Sequence, residues 1–186
     1  MLAVALTPVF VRPAFAQTPA IDAALLAKAS RGDAASQVLV GDGVAAGNGQ
    51  ARSSKQLAED YKQAAEWYRK AAEQGSVAGQ LQLAALYRDG QGVARDMAQA
   101  ADWYRKAAAQ GDATAQATLG VLYSMGQGVP HNDVESYYWL DLAAAVKGPN
   151  QEKYAANRQM VGTHITADEL ADVEERVAKW IAAHPR

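Results

Sequence analysis

A period of 36 residues constrains this chain more than any other feature, because segments that repeat must fold alike and stack on their neighbours. The run Ala65-Glu66-Trp67-Tyr68-Arg69-Lys70-Ala71-Ala72, closed by Gly75, returns as Ala101-Asp102-Trp103-Tyr104-Arg105-Lys106-Ala107-Ala108, closed by Gly111. A weaker third copy, Tyr138-Trp139-Leu140-Asp141-Leu142-Ala143-Ala144, lies 36 residues further on. Between them, Gln80, Leu83, Ala84, Tyr87, Gly90 and Gly92-Val93 match Gln116, Leu119, Gly120, Tyr123, Gly126 and Gly128-Val129 at the same offset. A degenerate first copy, with Gln37, Val40, Gly41, Val44, Gly47 and Gly49, sits 43 residues before the Gln80 segment. The extra seven residues fall between Gly49 and Asp60, and Gln50–Ser54 reads as an inserted loop.

Each repeat predicts two helices. The first, as in Val77–Arg88, sets Leu83, Leu86 and Tyr87 on one stripe at helical spacing. It ends at Gly90-x-Gly92, where glycine can close a helix in the left-handed conformation. The second starts at Asp60, Asp96 or Asn132, each followed three residues later by Gln63, Gln99 or Glu135, the pattern of a capping box. It runs through the Trp pair and stops at Gly75 or Gly111. Ile21–Arg31 reads as a lone capping helix before the first repeat. Gln151–Val161 and a helix from Thr166-x-x-Glu169 to about Ala183 read as a C-terminal cap, the latter with Val173, Val177, Trp180 and Ile181 as its apolar stripe. The boundaries that follow are 17–31 for the N-terminal cap, 32–74, 75–110 and 111–147 for three repeats, and 148–186 for the C-terminal cap.

Hydrophobic residues make up 49% of the chain and charged ones 20%, a composition able to build a core. A net charge of −2 with no basic stripe argues against a nucleic-acid partner. The chain has no cysteine, which excludes disulfides and thiolate chemistry. Met1–Val11 is apolar and uncharged, and Ala14-Phe15-Ala16 before Gln17 fits a secretory cleavage site. Residues 1–16 are therefore expected to be a signal peptide cut after Ala16, giving a periplasmic or secreted protein without a membrane span.

The pattern Leu119-Gly120-x-x-Tyr123-x-x-Gly126-x-Gly128-Val129, with Trp103-Tyr104-x-Lys106-Ala107-Ala108-x-Gln110-Gly111 before it, resembles the Sel-one-like repeat of exported bacterial proteins. That repeat is a tetratricopeptide-related helix pair. The resemblance covers about residues 32–183 and implies an all-α, right-handed α-α superhelix of helix-turn-helix repeats. Trp67, Tyr68, Gly75, Leu83, Tyr87, Gly90, Gly92, Trp103, Tyr104, Gly111, Leu119, Gly120, Tyr123, Gly126, Gly128 and Trp139 are its structural residues. Val44 in place of the tyrosine, and Leu140-Asp141-Leu142 in place of Tyr-x-Lys, are departures in the outer repeats.

The resemblance also implies a non-catalytic adaptor or regulator that holds another protein, here an envelope or membrane-protein segment. By analogy with tetratricopeptide packing, the first helix of each pair lines a concave groove. Ala35, Val38, Asp42, Leu81, Ala85, Arg88, Asp89, Thr114, Ala117, Val121, Ser124 and Met125 are the expected partner-binding residues. Two alternatives stand beside this one: a cell-wall-associated or β-lactam-binding hydrolase-like protein, and a self-associating envelope scaffold.

No catalytic, cofactor or metal site is expected. The tryptophan series reads as packing between helices, each truncation costing on the order of 3–5 kcal/mol. His131, His164 and His184 lack the i, i+4 partner of a helical zinc site. Gly90-Gln91-Gly92 and Gly126-Gln127-Gly128 lack the lysine and preceding strand of a phosphate loop. Ser53-Ser54-Lys55 has the wrong spacing for a Ser-x-x-Lys nucleophile, and Glu174-Glu175 reads as solvated helix surface.

Overall fold

In the computed structural model, residues 21–47 and 53–185 are described. The expected signal peptide lies outside them, as do residues 50–52 of the expected loop. The described residues form nine α-helices and no strand: α1 (Ala23–Ser30), α2 (Ala34–Ala46), α3 (Ser54–Glu73), α4 (Val77–Asp89), α5 (Met97–Ala109), α6 (Ala113–Met125), α7 (Asp133–Ala144), α8 (Gln151–Gly162) and α9 (Ala167–Ala183). The pairs α2–α3, α4–α5 and α6–α7 are the expected helix-turn-helix units. None of the described helices is long and apolar enough to cross a membrane.

Short polar side chains set where the helices begin. Asp33, Ser76 and Asp112 cap α2, α4 and α6 by accepting from the backbone N–H three residues on. Asp96 accepts from Ala98 and Gln99 at the start of α5, and Asn132 accepts from Glu135 at the start of α7. Thr166 and Glu169 close a full capping box on α9. Gly90 and Gly126 end α4 and α6 in the left-handed conformation, as does Gly47 at the end of α2.

The start of α3 departs from expectation. Asp60 lies inside this helix, which begins at Ser54 with Ser53 as its cap. Lys55, Gln56, Leu57, Ala58 and Glu59 are helix-forming residues and continue α3 toward its N-terminus. Part of the seven-residue insertion is therefore added helix and not loop.

Compactness divides the chain into two units, with the boundary between Lys106 and Ala107 inside α5. In the N-terminal unit, α2 packs on α1 and α3, and α3 packs on α4. Its core joins Val38, Ala45, Ala64, Ala65, Tyr68, Ala71, Ala72, Leu83 and Leu86, with Trp103 and Tyr87 against its edge. The many alanines let the helix backbones approach closely. The turn after α4 goes further: Gly92 has φ +68°, and a Cβ there would lie 2.2 Å from the Tyr61 carbonyl carbon. Only a residue without a side chain fits.

In the C-terminal unit, α7 is the hub and packs against α6, α8 and α9. Leu140 joins Ala117, Ala143, Ala144, Tyr154 and Val161, while Leu142 joins Tyr138, Val173 and Val177. These leucines explain the departure of the third repeat from Tyr-x-Lys. Lys70 and Lys106 lie exposed on α3 and α5, whereas Leu142 at the equivalent position is fully buried with α9 residues. Asp141 stands where the other repeats carry Arg69 and Arg105, and it pairs with Arg158 of α8. Glu135 of α7 holds Arg176 of α9 at 2.6 Å, with the Arg176 guanidinium 4.4 Å from the Tyr138 ring centroid. Ile181, expected in the apolar stripe of α9, is instead exposed.

A strut recurs across the repeats. The buried Gln37 donates from Nε2 to the Ala29 carbonyl at 3.1 Å, Gln80 to Ala72 at 3.3 Å and Gln116 to Ala108 at 3.1 Å. Each amide thereby adds a second donor to a carbonyl at the end of the preceding helix, which also accepts from the backbone N–H of Gly32, Gly75 or Gly111 three residues on.

Candidate functional site

Helix stripes and neighbouring helices together decide which first-helix residues are available to a partner. In the N-terminal unit, Ala35 and Asp89 are exposed, and Leu81, Ala85, Asp42 and Arg88 are half-buried. Val38 is a correction: it is buried in the core with Tyr68 and Leu83, so it supports the face without lining it. Leu39, one residue on, is 37% exposed and is a surface residue that the analogy passed over.

The charges of this face are held internally. Asp42 accepts from the Tyr68 hydroxyl at 2.7 Å and from Gln82 Nε2 at 2.9 Å, tying α2 to α3 and α4. Burial, then the Asp42 charge, pushes the Tyr68 phenol well above its ordinary range, so it stays a donor. Arg88 makes two parallel bonds of 2.7 Å to Asp89, a bidentate pairing, and donates to the Tyr104 hydroxyl at 3.2 Å. Burial works to lower the Arg88 pKa, but the Asp89 hydrogen bond and the neighbouring charges outweigh it and the net direction is upward. Burial pushes Tyr104 up to about 12, against the opposing pull of Arg88.

In the C-terminal unit, the expected lining is less available. Ala117 and Val121 are 0% and 1% exposed, and Ala117 belongs to the core around Leu140. Both are corrections, because a side chain closed off by its neighbours cannot meet a partner. Thr114 and Ser124 are half-buried, and Ser124 spends its hydroxyl on the Val121 carbonyl at 3.0 Å. Met125 is open to solvent at 47%.

The tryptophans are packing residues of a shallower kind than expected. Trp67, Trp103 and Trp139 are all half-buried, and the adjoining Tyr68, Tyr104 and Leu140 occupy the buried positions. Lys70 Nζ lies 4.3 Å from the Trp67 ring centroid, and Lys106 Nζ 3.7 Å from that of Trp103, each a cation over an aromatic face.

Two histidines that are far apart in sequence meet at one carboxylate. His131 Nε2 lies 3.3 Å from Asp133 Oδ1, and His164 Nδ1 lies 3.5 Å from Asp133 Oδ2. The two imidazoles address opposite oxygens of this carboxylate. Among the described residues, no group of three or more His, Asp or Glu side chains could hold a metal ion. His184 is elsewhere, stacked on Trp180 with 4.1 Å between centroids.

Helix pairs with recurring caps, a Gln strut and a close Gly turn amount to one repeating unit. Comparison with known families matches the Sel1 repeat at residues 34–76, 77–112 and 113–145. The chain belongs to the Sel1 repeat family. Among solved structures, a Sel1 repeat protein from Oxalobacter formigenes is 34% identical over 75% of this chain and 98% of its own, with a TM-score of 0.60. A protective antigen of uropathogenic Escherichia coli displaying an SLR fold is 28% identical over 85% of this chain, with a TM-score of 0.61. This chain spans 40% of that antigen's length. No curated protein matches it. The fold class is thus an all-α helical-repeat solenoid. Sel1 repeat proteins generally mediate protein–protein interaction and serve as non-catalytic scaffolds.

Proposed function

We propose that this Sel1 repeat chain is an adaptor or regulator, acting in the periplasm or outside the cell, that binds an envelope protein or a membrane-protein segment. The observation that carries the binding role is the division of labour along α4. Leu83, Ala84 and Leu86 are buried in packing, while Leu81 and Ala85 lie only half-buried, one turn apart on the same helix. The second pair is a small apolar strip, with the neutralised Arg88–Asp89 pair at its end. Such a strip suits a helical or extended peptide with apolar anchors.

The test uses residues 17–186 as cross-linking bait in envelope extract, beside a Leu81→Glu/Ala85→Glu variant. The expected result is one reproducible partner whose affinity falls at least about tenfold in the variant, with helical circular dichroism unchanged. Undiminished capture by a folded variant overturns the assignment of this face. Val121 is unsuitable for such a variant, because its burial would confound lost binding with lost fold.

A second reading, the self-associating scaffold, is favoured by the exposed Leu26 on α1 and Ile181 on α9. A mass in light scattering that rises with concentration supports it; a constant monomer mass removes it.

A further inference from the structure

We draw no further inference here: the strongest candidate, the open hollow of about 560 Å³ lined by Tyr137, Ala155, Gln159, Gly162 and Leu170 of α7, α8 and α9, carries nothing because the Arg158 at its wall is already held by Asp141 and nothing in the structure shows what covers it.

Discussion

Replacing Gln80 by leucine removes the bond to the Ala72 carbonyl, which keeps the Gly75 N–H at 3.0 Å, and leaves the buried position without its tie to the preceding helix. The expected loss is about 0.5–1.5 kcal/mol, read as a lower denaturant midpoint at constant slope. Glycines allow a sharper comparison. Gly75 has φ +87° with nothing within 4 Å of an added Cβ, so Gly75→Ala should cost only the backbone strain, about 1–2 kcal/mol. Gly92→Ala adds a collision with the α3 backbone and should cost roughly 3 kcal/mol or more. Equal losses in the two variants would contradict the close approach at Gly92. Tyr104 supplies a pH dependence. Its folded pKa of about 12 lies above the ordinary phenol value, so the stability it contributes is whole below pH ~10. That contribution is lost as pH rises through about 12, by roughly 2–3 kcal/mol. Denaturation at pH 9 and pH 12 should show the fall, and Tyr104→Phe should reduce it by that amount while the share of Tyr68, whose phenol is also held above its ordinary range, remains.

Helix α7 shows how a repeat is converted into a terminus. Two changes from the repeat pattern, a charge reversal at Asp141 and an apolar residue at Leu142, provide seats for α8 and α9. Leu142→Lys restores the repeat residue and forces an ammonium into contact with Val173 and Val177. It should destabilise by more than about 3 kcal/mol. Amide exchange should accelerate in α8 and α9 and leave α2–α4 unchanged. The milder Asp141→Arg should be partly rescued by Arg158→Asp, a charge swap that an exposed, uncoupled pair would not register. Most helix boundaries were legible in the sequence because their caps repeat with the period. The start of α3 was not: Asp60 keeps register with Asp96, and that coincidence masked the earlier cap at Ser53. The binding face was only partly legible. Spacing places Val38, Ala117 and Val121 on a plausible stripe, but packing in three dimensions decides whether a stripe position is covered. The role of the glutamines was hidden for another reason. Their recurrence is visible in the sequence, whereas the carbonyl that each one meets lies eight residues back on a different helix.

At the scale of the whole molecule, export is the proposal that bears most on what the chain can meet. The mature protein recovered from a bacterial envelope fraction should begin at Gln17, which N-terminal sequencing or intact mass would establish. An N-terminus at Met1 in the cytoplasmic fraction would remove the compartment and with it the expected class of partner. The glutamine struts bear on how such a chain can change over time. Each reaches back to the helix immediately before it, and the bond that Gln37 accepts from Gln74 stays within the same helix pair. A duplicated or deleted block of 36 residues would therefore bring or remove its own fastening and leave the others intact. Array length is free to vary by whole units without new chemistry, so lineages can reshape reach and partner range by copying before they need to mutate.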